Sequence, residues 1–275
     1  MKEKIGIIGF GNMGSAIAER LKDEYDVFVV DKDTSRLRTI PNKSIVGCIP
    51  ELVELVDIIL IAVKPQDIDE VLKEIKLSAK GKMFISIAAG IGTTYIEGKL
   101  GNIRVVRAMP NLGAITGKSI TCICKGKFTT QDDIASTKNI FSLIGKVQEV
   151  NEDKLDAVTA VSGSGPGYYF DAVVNHYDEY KQDKDRFSEK FIDSLAKAAK
   201  EVGLDEQLSL LLAKETIIAS ELVLAYTKLS PEELRNQVTS KGGTTEAALQ
   251  ILHNGGTLTD AVKVAVMRAK ELSRG

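Results

Sequence analysis

Residues 4–31 constrain this chain more than any other stretch. Ile5, Ile7 and Ile8 are β-branched and read as a buried strand. Gly9, Gly11 and Gly14 follow as G-x-G-x-x-G, and the spacing of Met13, Ile17 and Leu21 predicts a helix directly behind them. A second apolar run, 27–30, ends in Asp31, twenty residues after Gly11. Strand, glycine turn, helix, strand and acid, in that order, suit the pyrophosphate of a dinucleotide. Gly9 permits the tight turn, Gly11 lets backbone approach the pyrophosphate, and Gly14 lets the helix pack close to the strand. The helix N-terminus offers unpaired N–H groups and a partial positive charge. A bare G-x-G-x-x-G also occurs in turns that bind nothing; the two flanking strands and the acid set this one apart. Asp31 would accept hydrogen bonds from adenosine ribose hydroxyls and repel a 2′-phosphate, which favours NADH over NADPH. Lys32 beside it works in the opposite sense.

Composition narrows the class. The chain has 275 residues, 44% hydrophobic and 27% charged, enough for one large or two modest domains. The formal charge is −2, and lysines and arginines are scattered, so no nucleic-acid footprint is expected. No run approaches the roughly 18 apolar residues that would span a membrane. Residues 1–10 run straight into a strand, leaving no room for a signal peptide. Three cysteines, Cys48, Cys122 and Cys124, fit a reducing cytoplasm. Cys122 and Cys124 share one face of an expected strand and read as small buried residues. His176 and His253 are the only histidines, and no ligand spacing suggests a metal.

Further strand and helix patterns follow Asp31. Residues 51–56 look helical, and 57–63 form a continuous apolar run suited to a central parallel strand. A helix is expected at 67–75, strands at 83–89, 103–108, 119–124 and 146–150, and a helix at 131–143. The alternation predicts an α/β doubly wound parallel sheet over residues 1–150. Beyond 151 helical periods dominate: 152–161, 166–203, 205–226, 231–238, 245–253 and 257–272. Gly203 reads as a helix stop and Ser230-Pro231 as a helix start. Residues 151–275 are therefore expected to be all-helical. Leu208, Leu211, Leu212, Ile217, Ile218, Leu222 and Val223 exceed what a lone small bundle needs to bury; they suit either a domain core or a subunit interface.

Ligands of such sheets bind outside the carboxyl ends of the strands. Three strand ends here carry unusual loops: Ala62-Val63-Lys64-Pro65, Ala88-Ala89-Gly90 and Met109-Pro110-Asn111. Each alone has a plain structural reading; their convergence on one sheet edge points to a ligand. In the helical half, Ser162-Gly163-Ser164-Gly165-Pro166-Gly167 precedes a helix, and Ser240-Lys241-Gly242-Gly243-Thr244-Thr245 opens another. The second stretch suits a threonine N-cap. It equally suits a small carboxylate on the N–H groups of Gly242 and Gly243, with a threonine hydroxyl beside the reacting group.

Taken together, Gly9-x-Gly11-Asn12-Met13-Gly14, Ala62-Val63-Lys64-Pro65, Arg107-Ala108-Met109-Pro110-Asn111, Ser162-Gly163-Ser164-Gly165-Pro166 and Gly242-Gly243-Thr244-Thr245 resemble pyrroline-5-carboxylate reductase along nearly the whole chain. The resemblance implies an N-terminal Rossmann-type domain, a C-terminal helical dimerisation domain, and dimers that often assemble into decamers. It implies reduction of 1-pyrroline-5-carboxylate to L-proline by NAD(P)H, at the domain and subunit junction. By the same resemblance the loop Gly9, Phe10, Gly11, Asn12, Met13 and Gly14, with Ala62, Val63, Lys64, Pro65 and Asn111, holds the cofactor, and Ala89 and Gly90 lie near the nicotinamide. Gly242, Gly243 and Thr244 hold the substrate carboxylate, and Thr245 stands near the imine nitrogen.

The chain departs from the family pattern. Leu112-Gly113-Ala114 stands where Thr-Pro-Ala is usual, and Lys241 replaces a proline. About twenty extra residues, 171–190, read as helical and charged, and are expected to alter oligomer contacts. Two rival readings are a β-hydroxyacid dehydrogenase and a non-catalytic sensor of nicotinamide cofactor. The first needs a lysine where this chain has Asp171; the second fits poorly with an intact Gly242–Thr245 stretch.

Overall fold

The computed structural model describes residues 2–39 and 44–272. Its first half alternates as the sequence pattern requires: β1 (Lys4–Ile8), α1 (Asn12–Leu21), β2 (Asp26–Val30), α2 (Ile49–Leu55), β3 (Ile58–Ile61), α3 (Ile68–Ile75), β4 (Met83–Ser86), α4 (Thr93–Leu100), β5 (Arg104–Met109), β6 (Ser119–Lys125), α5 (Gln131–Ser142) and β7 (Gly145–Glu149). The seven strands lie in the order β2-β1-β3-β4-β5-β6-β7. β1 pairs in parallel with β2 and β3, β3 with β4, and β4 with β5. Every residue of β3 and β4 is buried, which is why these strands read as unbroken apolar runs rather than alternating ones. After β1 the chain steps to one side for β2, then crosses to the other for β3. The crevice at this reversal is where the sheet can take a ligand, and the glycine loop after β1 sits there.

The second half is helical: α6 (Leu155–Val158), α7 (Gly165–Asn175), α8 (Tyr177–Gln182), α9 (Lys184–Glu201), α10 (Glu206–Thr227), α11 (Pro231–Val238), α12 (Thr244–His253) and α13 (Leu258–Leu272). The chain forms two compact units, Met1–Ala108 with Ile123–Glu152, and Met109–Cys122 with Asp153–Gly275. No helix among the described residues is long and apolar enough to cross a membrane.

Two helical expectations are corrected. The segment 166–203 is three helices, not one. His176 (φ −128°, ψ 42°) and Asp183 (φ −152°, ψ 84°) both leave helical geometry. Asp183 then caps α9, its carboxylate accepting from the Arg186 N–H at 3.1 Å. The extra residues thereby fold back on α10. Tyr169, Tyr180 and Ser188 hydrogen-bond to Glu221, and Lys184 Nζ lies 2.5 Å from its carboxylate. The segment 152–161 is likewise interrupted. A short 3-10 turn (Glu152–Lys154) leads into α6, and a π-helical turn (Thr159–Gly163) follows, closed by Ser164 N–H donating to Thr159 O at 2.9 Å.

Only part of the apolar surplus on α10 is core. Leu212, Ile217 and Val223 are buried, whereas Leu210, Ile218, Leu222 and Tyr226, at four- and eight-residue steps, form an exposed stripe.

Cys122 and Cys124 are buried and burial pushes both thiols up to about 12, while Cys48 is exposed. Only a thiolate attacks a disulfide reagent, and neither buried thiol ionises near neutrality. Titration of the native protein at pH 8 should therefore release about one thiol per chain, and all three only after unfolding.

Candidate active site

The loop after β1 is shaped by its glycines. Gly9 sits at φ 98°, its N–H donating to Val30 O at 2.9 Å, and a Cβ on it would stand 2.6 Å from Ala62 O. Gly14, one turn into α1, packs so closely that a Cβ would lie 2.1 Å from Gly9 O. Gly11 is different. A Cβ there would meet only the tip of Arg36, at 3.6 Å. Its missing side chain keeps open space at the N-terminus of α1, whose cap makes no side-chain hydrogen bond. Two tight glycines and one open one form a cradle that fits a pyrophosphate.

Asp31 reaches this loop directly. One carboxylate oxygen accepts from the Phe10 N–H at 2.5 Å and the other from the Asp33 N–H at 2.7 Å. Arg36, not singled out in the sequence, lies 3.9 Å from Asp31 and 3.2 Å from Asp33. Lys32 is drawn away to Asp67, 2.6 Å distant, so Arg36 rather than Lys32 is the cation beside Asp31. Ala62 N–H donates to Ile8 O, which sets Ala62 and Val63 against the loop, and Lys64 is exposed at the start of a 3-10 turn (Pro65–Asp67). Gly90 turns at φ 76° after β4, with Ala89 half-buried before it.

Asn111 lies in the second unit and is buried. Its amide nitrogen donates to Ser162 Oγ at 3.0 Å, and its amide oxygen accepts from the Gly113 N–H at 3.1 Å. It braces the turn after β5 (Leu112–Thr116), where a Cβ on Gly113 would stand 2.6 Å from Lys118 O.

Between α11 and α12 the second glycine stretch is pinned from both sides. Gly242 adopts φ 70°; its N–H donates to Glu246 Oε2 at 2.7 Å and its carbonyl accepts from Arg268 Nε at 2.8 Å. Gly243 N–H donates to Ser240 O at 2.9 Å. The N–H groups of Gly242 and Gly243 are thus spent inside the loop. The first turn of α12, from Thr244 to Glu246, holds the N–H groups without an intrahelical partner. Gly243 is the N-cap and supplies no side chain to cover them. Ser164 and Thr244 share a hydrogen bond of 2.9 Å between their hydroxyls. Thr245 is 4% exposed, and Gly167 lets α7 meet it: a Cβ on Gly167 would be 2.4 Å from the Thr245 methyl. Glu246 and Arg268 escaped the sequence reading because neither belongs to a glycine motif.

Asp171, where a hydroxyacid dehydrogenase would need its lysine, is a buried carboxylate paired with Arg235 and His253. No group of three or more histidine, cysteine or acidic side chains among the described residues could hold a metal.

Comparison with known proteins gives the family. Residues 4–90 match the family described as "NADP oxidoreductase coenzyme F420-dependent", and 187–274 that described as "Pyrroline-5-carboxylate reductase dimerisation". A pyrroline-5-carboxylate reductase of Synechocystis is 32% identical over the full length of both chains. Pyrroline-5-carboxylate reductase 1 of Bacillus subtilis is 30% identical, across 99% of this chain and 90% of that one. Among solved structures, the pyrroline-5-carboxylate reductase of Coxiella burnetii superposes with a TM-score of 0.65 at 30% identity, covering both chains completely. The Plasmodium falciparum pyrroline carboxylate reductase with NADP bound gives 0.62 at 27%, covering 98% of each. A glycerol-3-phosphate dehydrogenase shares the fold alone, at 14% identity. With these relatives in view, the chain belongs to the pyrroline-5-carboxylate reductase family.

Proposed function

We propose that this protein reduces 1-pyrroline-5-carboxylate to L-proline with NAD(P)H, in proline biosynthesis. The observation that carries the reading is the N-terminus of α12, with unpartnered backbone N–H groups and Thr245 in one turn. Thr244, Thr245 and Glu246 offer those N–H groups to the substrate carboxylate, with Gly242 and Gly243 giving the loop its shape. The Thr245 hydroxyl steadies the imine nitrogen. The cradle of Gly9, Phe10, Gly11, Asn12, Met13 and Gly14, with Ala62, Val63, Lys64, Pro65, Ala89 and Gly90, holds the dinucleotide, and Asn111 braces its own loop. When bound, the reduced nicotinamide supplies a hydride to the imine carbon. A cyclic imine is basic enough to be partly protonated near neutral pH. The protein therefore needs to orient the reactants and steady the nitrogen rather than supply a strong acid.

NADH is the preferred donor in this reading. Asp31 and Asp33 place two carboxylates at the adenosine end, one cation, Arg36, answers them, and Lys32 is engaged by Asp67. A 2′-phosphate adds negative charge to a site already rich in it. The exposed α10 stripe, inside the region that matches the dimerisation family, supports a homodimer, and the family resemblance supports higher assembly such as a decamer. Three free cysteines suit the cytoplasm.

The test is oxidation of NADH and NADPH, run side by side, by purified protein on addition of 1-pyrroline-5-carboxylate. Turnover with the larger kcat/KM for NADH is expected. Cofactor binding without turnover would overturn the reductase reading in favour of a sensor, and a preference for NADPH would overturn the role of Asp31.

A further inference from the structure

Asp171 is a buried charge that the proposed chemistry does not use. It sits on α7 and is 3% exposed. Oδ1 accepts from Arg235 Nη1 at 2.8 Å and meets His253 Nε2 at 2.9 Å, while Oδ2 accepts from Asn175 Nδ2 at 3.1 Å. One carboxylate thus joins three helices. Arg235 lies on α11, which runs into the Ser240–Thr245 loop, and His253 is the last residue of α12, which runs out of it. Both supports of the loop are tied to the same point on α7.

The same helix touches Thr245 one turn earlier. Gly167 stands four residues before Asp171, and the Thr245 methyl fills the space its side chain would take. α7 therefore meets α12 by packing near one end and by a hydrogen bond to a buried carboxylate near the other. Apolar contacts tolerate sliding. A buried carboxylate does not tolerate separation from its cation, and charge-assisted bonds to a planar guanidinium are directional. The placing of α11 and α12 on α7 is held by these bonds as well as by volume.

We infer that Asp171 is a positioning residue for the imine site: by holding Arg235 and His253 it fixes the loop and the first turn of α12, and with them Thr245. The inference rests on the reading of that loop as the imine site. Asp171 touches neither reactant and takes no proton in the reaction.

The test compares wild type, Asp171→Asn, Arg235→Gln and the double variant. Each single change should raise the KM for 1-pyrroline-5-carboxylate by about tenfold or more, through the displaced turn of α12 that takes its carboxylate, and should lower kcat as well through the displaced Thr245 hydroxyl, since displacements near 1 Å at a reacting site carry large rate effects. The Kd for NADH, measured by its fluorescence, should stay within about twofold, because the residues that hold it lie in the other unit. The double variant should be no worse than the worse single, as expected of groups acting as a pair. Mere loss of folded protein would lower kcat and leave KM as it was. Should Asp171→Asn not fold, Arg235→Lys, which keeps the charge but loses the planar fork, takes its place under the same criterion. A KM unchanged in the single variants, or single effects that simply multiply in the double, overturns the inference while leaving the proposed function standing. A wild-type protein that binds NADH but does not reduce the imine overturns both.

Discussion

Replacing Thr245 by alanine should lower kcat by about ten- to a hundredfold while the Kd for NADH stays unchanged. In the proposed function the hydroxyl hydrogen-bonds an imine nitrogen that is cationic when protonated. A bond to a charged partner is worth about 1.5–3 kcal/mol, and each 1.4 kcal/mol is a factor of about ten in rate. Its loss is expected to affect the imine and not the dinucleotide, because in the proposed function Thr245 acts on the imine nitrogen and the glycine cradle holds the dinucleotide. The methyl matters separately, since it fills the contact with Gly167. Thr245→Val keeps that methyl and removes only the hydroxyl, and Thr245→Ser does the reverse. If the hydroxyl carries the effect, valine should behave like alanine and serine should recover most of the rate. A valine variant as fast as wild type would remove Thr245 from the chemistry and leave it a packing residue.

The centre of the sheet was readable because its strands are buried on both faces. A run such as Ile58–Ile61 has nowhere in a small protein to go but a central strand, so pattern and position coincide. The breaks in the helical half were not readable for the opposite reason. Residues 166–203 keep a helical period across His176 and Asp183, so periodicity alone does not show the chain leaving the helix there. The capping role of Asp183 was the available signal, with Arg186 three residues on. At the site, the glycine cradle was legible because each glycine answers a local need. The Gly242 turn was legible as a turn. The fate of its N–H was not, because that depends on Glu246 one turn later and the carbonyl on Arg268, 26 residues away. The same limit hid Arg36: a half-exposed arginine carries no motif, and only the fold brings it to Asp31.

Gly14→Ala should cost both stability and cofactor binding, whereas Gly11→Ala should cost cofactor binding alone. The two glycines belong to one motif, yet their surroundings differ. A methyl on Gly14 would stand 2.1 Å from Gly9 O and 3.4 Å from the Ala62 Cβ. The first neighbour is backbone, so relief requires α1 to move away from β1 rather than a side chain to rotate. Overpacking of this kind costs about 1–3 kcal/mol. In a domain of this size each kcal/mol lowers Tm by about 2–4 °C, and a fall of several degrees is expected. The displaced helix carries its N-terminal N–H groups with it, so the Kd for NADH should also rise. A methyl on Gly11 meets nothing nearer than Arg36 Nη1 at 3.6 Å, which leaves the free protein unstrained. In the proposed function it occupies the space in which a pyrophosphate approaches the backbone. Its Tm without cofactor should match wild type, and the gain in Tm on adding NADH should shrink or vanish. Equal destabilisation by the two alanines would mean that the open space at Gly11 is an incidental feature of the turn. Equal cofactor affinity in Gly11→Ala and wild type would mean that the dinucleotide does not lie across this loop.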